Sequence, residues 1–322
     1  MEYFKKHYLK TTPVFDTYWK FACERQNIFI KKNNGEPSPW TNDPILQTYK
    51  FTNAYRASDR VSQYLIKDVI YSYSGNDEDL LFRILLFKIF NKIETWNYLL
   101  ENIGEISYHT YKRSQYSSLL NDLREKKTAI YSGAYIMASG INEFGNRKKY
   151  ENHLDLLELM FKDNLLLRIN QCKSLEELYC LLLNYPTIGT FLAYQYTIDI
   201  NYSEICDFDE MEFVVAGPGA KSGILKCFKD TDSLSESEVI RFMCENQEQE
   251  FNKRGLDFKY LFGRKLQLID CQNLFCETDK YARVLHPEYI GTSSRKRIKQ
   301  KYSTNKNAIE FFYPPKWGLT MR

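Results

Sequence analysis

Asp209 and Glu210 end an acidic run, Asp207-Phe208-Asp209-Glu210, that starts shortly after a tight turn, Tyr185-Pro186-Thr187-Ile188-Gly189. A carboxylate that opens a helix caps backbone N–H groups, which fixes its direction and keeps it ionised. Asp209, expected to open a helix running toward Val214, is therefore a candidate acid–base group. Glu210 competes with it, and spacing does not separate Asp207 from either. The turn before them aims the N–H groups of Ile188, Gly189 and Thr190 outward at a helix start, a seat for a phosphate. The same pattern also describes an ordinary pair of helices followed by a solvated acidic loop.

Two further polar groups stand out. In the run from Tyr49 to Val61, a helix would put Asn53, Arg56 and Arg60 on one face, with Lys50 and Asp59 nearby. Amide and guanidinium groups beside aromatics can take a phosphate and a base edge together; a solvated face laced by ion pairs is the plainer alternative. In the run from Asp270 to Arg283, Asp270, Gln272, Asn273, Glu277 and Lys280 interrupt an apolar helix. Burying so many polar groups is costly unless they serve one another or a ligand. Gly217-Pro218-Gly219-Ala220-Lys221-Ser222-Gly223 resembles a nucleotide-binding loop only superficially, because Ala220 stands where glycine must precede lysine. It is expected to be a helix-start turn with close backbone packing, leaving Lys221 and Ser222 as phosphate contacts. The tail from Ser293 to Asn307 carries Arg295, Lys296, Arg297, Lys299, Lys301 and Lys306, a second strip for phosphates.

The elements that hold these groups read as helices. A first amphipathic helix within residues 1–35 offers Phe15, Tyr18, Trp19, Ala22 and Phe29 to a core, and a proline cluster at Pro37, Pro39 and Pro44 follows. A long helix is predicted from Tyr49 to Tyr73, then a buried one from Leu80 to Asn91 that is apolar nearly all round. Residues 128–138 fit strand or helix equally. Helical patterns return at His153–Ile169, Ser174–Leu183, Ser235–Asn252 and Leu266–Val284. A chain of 322 residues can bury an ample core. Its formal charge of +3 is too small for a global field, so any nucleic-acid contact must be local. Eight scattered cysteines and four histidines show no metal-ligand spacing, which implies reduced buried thiols and no metal or cofactor. No signal peptide or membrane-length apolar run is found, and a cytoplasmic location is expected.

The blocks PWTNDPIL, YKFTNAYRASDRVSQYLI, IGTFLAYQYTIDINYS, EFVVAGPGAKSGI, LIDCQNLFCETDKYAR and FFYPPKWG, spread over roughly residues 37–318, resemble a family of DNA-base hypermodification proteins. This is the α-glutamyl/putrescinyl-thymine pyrophosphorylase group, which includes the helical domain of 5-hydroxymethyluracil DNA kinases. Its members are similar to helix–hairpin–helix DNA glycosylases, some of which act against phages with glucosylated hydroxymethylcytosine. The resemblance implies a mostly α, helix–hairpin–helix glycosylase-like fold of two helical subdomains. Residues 140–255 would carry the hairpin, and 1–139 with 256–322 would form the other. Aligned on Arg60-Val61, Asn53 falls where adenine-mismatch glycosylases have an active-site carboxylate, and Asp209 falls on the catalytic aspartate by spacing. Phe191 stands where backbone-cleaving members carry lysine. The implied activity is a monofunctional glycosylase that excises a hydroxymethylated or glucosylated pyrimidine from double-stranded DNA and leaves an abasic site. Arg56, Arg60, Asp270, Gln272, Asn273, Glu277 and Lys280 would line its base pocket, with no membrane and no obligate protein partner. Two rivals stay open: a hypermodification enzyme acting on 5-hydroxymethylpyrimidine in DNA, and a non-catalytic DNA-binding module.

Overall fold

The computed structural model describes residues 9–292, 295–303 and 310–320. In chain order it contains β1 (Lys10–Thr11), α1 (Pro13–Asn33), α2 (Pro44–Thr48), α3 (Arg60–Tyr64), α4 (Asp77–Phe90), α5 (Ile93–Ile103), α6 (Arg113–Glu125), α7 (Ile141–Phe144) and α8 (Lys149–Lys162). There follow α9 (Leu165–Gln171), α10 (Leu175–Leu183), α11 (Thr190–Asn201), α12 (Pro218–Cys227), β2 (Phe228–Asp230), α13 (Glu236–Glu245), α14 (Gln247–Lys253) and α15 (Leu268–Leu285). The fold is mostly α, as expected. The chain divides into one unit of Met1–Asp59, Phe213–Glu310 and Gly318–Arg322 and a second of Arg60–Glu212 with Phe311–Trp317. These boundaries differ from the expected ones at 139/140 and 255/256.

In the first unit, α1 begins after Thr12, whose hydroxyl accepts from the Val14 N–H, with Pro13 in the first turn. It packs on α15, where Tyr18 and Phe275 meet at 4.7 Å and are fully buried together with Trp19. Each such ring contributes roughly 1.5–3 kcal/mol by leaving water. α12 also packs on α15, and its glycines make the approach possible. A Cβ on Gly223 would lie 2.2 Å from the Phe275 carbonyl oxygen, and one on Gly219 would lie 2.9 Å from Cys276 Sγ. The glycine-rich segment is thus a packing device. β1 pairs antiparallel with β2 beside it.

The second unit is built on α4, whose residues from Leu81 to Phe90 are all buried, including the two cations Arg83 and Lys88 among its apolar side chains. Asn76 caps it by accepting from the Asp79 N–H. α10 and α11 are joined by residues 184–189, with Thr187 at φ +68° and Gly189 as the N-cap of α11. Between α4 and α11, Lys88 Nζ and Asp199 Oδ2 meet at 2.5 Å with only 2% of either side chain exposed. The Tyr135 ring covers the ammonium at 4.1 Å. The aromatic segment Phe311–Trp317 belongs to this unit: Phe312 lies 5.3 Å from Tyr71, and Lys316 donates to the carbonyls of Ser203 (2.7 Å) and Cys206 (2.6 Å).

Four expected elements differ, the first being Ser235–Asn252, which is two helices, α13 and α14, parted at Asn246. The helix over His153–Ile169 is two helices, because Asn164 takes a left-handed conformation between α8 and α9. Residues 128–138 form neither strand nor helix. The helix expected from Tyr49 to Tyr73 starts only at Arg60, and it changes to a π-helical turn over Leu65–Tyr71. The physical reason for the missing first half lies in where its backbone donors go.

Candidate functional site

Residues 51–59 run irregularly, with a single 3₁₀ turn at Arg56–Ser58. Three of their N–H groups are taken by carboxylates instead of helix carbonyls, while those of Ser58 and Asp59 close the 3₁₀ turn. Thr52 N donates to Glu277 Oε2 at 2.9 Å, Asn53 N to Asp59 Oδ1 at 2.8 Å, and Arg56 N to Asp270 Oδ1 at 2.8 Å. A charge-assisted bond is about twice as strong as a neutral one, so side chains can outbid the helical pattern here. Two of these carboxylates come from α15. Asp270 also accepts from the Gln267 N–H at 2.9 Å, which completes a capping box at the start of that helix.

α1 supplies the third wall. Arg25 donates through Nε to the Thr52 carbonyl at 2.9 Å and through Nη2 to Asn53 Oδ1 at 3.0 Å. Asn53 Nδ2 in turn donates to the Ser58 carbonyl at 2.8 Å. From α15, Asn273 Nδ2 donates to Thr52 Oγ1 at 3.0 Å, and Lys280 Nζ lies 2.8 Å from Glu277 Oε2 and 4.5 Å from the Phe51 ring centre. Arg25, Thr52, Asn53, Asp59, Asn273, Glu277 and Lys280 are all half-buried. They form a polar cluster of partly exposed side chains, referred to below as the recess, within the first unit.

Its electrostatics are mixed. Burial pushes the Asp59 carboxyl up to about 7, with Glu277 adding to the rise while the Asn53 N–H, Arg25 and Arg56 oppose it. Burial likewise lowers the Arg25 guanidinium below its usual value, against the attraction of Asp59, Glu277 and Tyr302. Asn273 spends one N–H on Thr52, so its Oδ1 and second N–H have no partner among the described residues. An amide edge with one donor and one acceptor matches the N3–H and a carbonyl of a uracil ring.

An extended segment runs alongside. Lys50 N donates to the Gln300 carbonyl and Tyr302 N to the Thr48 carbonyl, each at 3.0 Å, closing a bridge between Tyr49 and Lys301. Ile298 is its buried anchor, while Arg295, Lys296, Arg297, Lys299 and Lys301 are exposed. Lys306, also assigned to this strip from the sequence, lies outside the described residues.

The other sequence-derived candidates fall as follows. Arg56 and Gln272 are buried, the latter donating to Cys276 Sγ at 3.4 Å. Arg56 and Arg60 do not share a helix face with Asn53, because residues 51–59 form no α-helix. Asp209 does not open a helix. It is exposed in a turn and accepts from the Met211 N–H at 2.8 Å, while Glu210 is buried. Both belong to the second unit, as do Ile188, Gly189 and Thr190. The next helix begins only at Pro218, because Ser203–Phe208 and the residues after them spend their bonds locally, with Asn201 holding both the Phe208 N–H and its carbonyl. Lys221 is exposed and pairs with Glu236 at 3.3 Å. Ser222 is buried and donates to Asp279 Oδ1 at 2.7 Å; Lys226 Nζ meets the same oxygen at 3.0 Å, and Arg283 bonds Oδ2. Burial alone would raise the Asp279 carboxyl, but these bonds hold it below its usual value. Arg25, Thr52 and Asp59 were not picked out as site residues. Asp59 was visible in the sequence beside Arg60; Arg25 had no signal beyond being a charge within an amphipathic helix.

A family model described as "5-hmdU DNA kinase, helical domain" matches residues 12–291. The 5-hmdU DNA kinase of Bacillus phage SP10 is 26% identical over 320 residues, covering 94% of this chain and 50% of its own. The chain therefore spans about half the length of that curated relative. No solved structure matches. These likenesses overturn the expected excision chemistry: the relative is a kinase, which transfers a group to DNA, whereas a glycosylase hydrolyses a bond in it. They favour the hypermodification reading, given above as a rival, over excision. The chain belongs to the family of 5-hmdU DNA kinase helical domains.

Proposed function

We propose that this chain recognises DNA containing 5-hydroxymethyluracil for modification of that base, with the recess of the first unit receiving the base. The observation that carries the reading is the half-buried Asn273 carboxamide, which keeps one donor and one acceptor beyond its bond to Thr52. In a duplex the matching edge of uracil is paired, so the nucleotide must leave the stack, at a cost of a few kcal/mol. Lys280, Glu277 and Asp59 supply donors and acceptors for a hydroxymethyl group, which is both donor and acceptor itself. The exposed cations from Arg295 to Lys301 suit backbone phosphates. Because the Gly217–Gly223 segment is closed by α15 and Ser222 is held by Asp279, the part assigned to this chain is DNA and base recognition. The phosphoryl donor is not assigned to that segment.

Fluorescence titration of 5-hydroxymethyluracil and thymine duplexes at several salt concentrations tests this. Neutralising Arg295, Arg297 and Lys299 together should weaken both duplexes alike and flatten the salt dependence by a slope of up to about 3. An unchanged slope would remove the strip from the DNA interface.

A further inference from the structure

Leu261, Phe262, Gly263 and Arg264 form a two-residue turn closed by a bridge between its ends, with Arg264 N donating to the Leu261 carbonyl at 2.9 Å. Phe262 (φ +50°) and Gly263 (φ +87°) both occupy the left-handed region. This is the backbone of a tight hairpin turn, for which Asn-Gly is the favoured sequence. Glycine suits its position, but a phenylalanine at positive φ is a steric outlier, and such residues cluster where a protein needs a side chain held in one place. Phe262 lies at the tip of its turn and is 47% exposed.

The base of this turn is rigid and tied to the recess. The buried Tyr55 hydroxyl donates to the Arg264 carbonyl at 2.5 Å and accepts from the Leu261 N–H at 3.2 Å. Tyr55 lies two residues from Asn53 in the segment that forms the recess floor. On the other side, residues 265–267 lead into the capping box where Asp270 binds the Arg56 N–H. One short stretch of backbone therefore fixes both the recess and the tip. Lys259 and Lys265 flank the turn and are exposed, paired with Asp257 and Glu248 in surface ion pairs of little strength.

We propose that Phe262 is a wedge that enters the base stack and fills the gap left when the target pyrimidine turns into the recess. Apolar side chains used in this way unstack a base step and hold the duplex open. A ring on a strained but braced turn reaches the stack without first having to be ordered. The proposal rests on the DNA reading above and adds a residue and a step to it.

The test is a duplex with 2-aminopurine on the 3′ side of a 5-hydroxymethyluracil, which brightens when it unstacks. The wild-type chain should raise its fluorescence about threefold or more on binding. Phe262→Asn fits the left-handed position better than phenylalanine, so it keeps the fold while removing the ring. It should abolish the rise but bind a single-stranded 5-hydroxymethyluracil oligonucleotide within about twofold of wild type. Phe262→Tyr should retain the rise. An equal rise in wild type and Phe262→Asn would overturn the wedge, as would wild-type binding of the duplex with no rise; both leave the DNA reading standing. If wild type binds neither duplex nor single strand, the DNA reading itself fails, and the wedge with it.

Discussion

Two groups of charges in this molecule show opposite designs. In the second unit Lys88 and Asp199 are sealed, each 2% exposed and covered by Tyr135. In the first unit Arg25, Asp59, Glu277 and Lys280 are half-buried around a backbone that has given up helix formation. A sealed pair ties two helices together; removing one member leaves a buried charge without its counter-ion. An open group keeps bonding capacity in hand, as the Asn273 amide does. The difference separates a pair that serves the fold from a group whose Asn273 amide keeps a donor and an acceptor for the base proposed above.

The largest effect is expected at the sealed pair. Lys88→Met should cost about 3–5 kcal/mol, read as a lowered urea midpoint, because Asp199 is then left without its ammonium. The double variant Lys88→Met with Asp199→Leu should recover much of that loss. A single variant as stable as wild type would mean that the pair is not the tie it is taken to be.

At the open end the sign reverses. Asp59 titrates near 7 in the fold instead of in the ordinary range, because burial disfavours its charge. Its contribution to stability is therefore fully present below its unfolded value and is lost as pH rises toward 7. Asp59→Asn lacks that loss, so relative to wild type it should gain about 2 kcal/mol between pH 5 and pH 8. Parallel pH curves for the two proteins would show that Asp59 is an ordinary surface carboxylate.

A smaller effect is expected where the recess meets its ligand. Asn273→Ala should weaken binding of 5-hydroxymethyluracil and thymine duplexes alike by about tenfold, the worth of one or two hydrogen bonds, with little change in melting temperature. Loss of stability without loss of binding would assign Asn273 to the scaffold along with Asp279 and Ser222.

How much of this was visible in the sequence follows from where each backbone bond is made. The buried helix α4, the Ser235–Glu238 capping box of α13 and the Ser174 cap of α10 rest on neighbours in the chain, and local pattern finds them. The polar residues of α15 could likewise be recognised as a costly group needing partners. The Tyr49–Asp59 segment could not be read this way. Its helical spacing is real, but Glu277 and Asp270 claim its N–H groups from more than two hundred residues away. Asp209 failed for a related reason: an aspartate that caps a two-residue turn has the same local signature as one that caps a helix. The six quoted sequence blocks pointed to the right family, while the likeness to glycosylases within it pointed to the wrong reaction.

The central claim is that the open recess distinguishes a hydroxymethylated base from a plain one. Competition between duplexes that differ only in one 5-hydroxymethyluracil or thymine, at fixed salt, measures this directly. A single extra hydrogen bond of about 1 kcal/mol predicts roughly fivefold tighter binding of the 5-hydroxymethyluracil duplex. Equal affinity for the two duplexes would contradict the account.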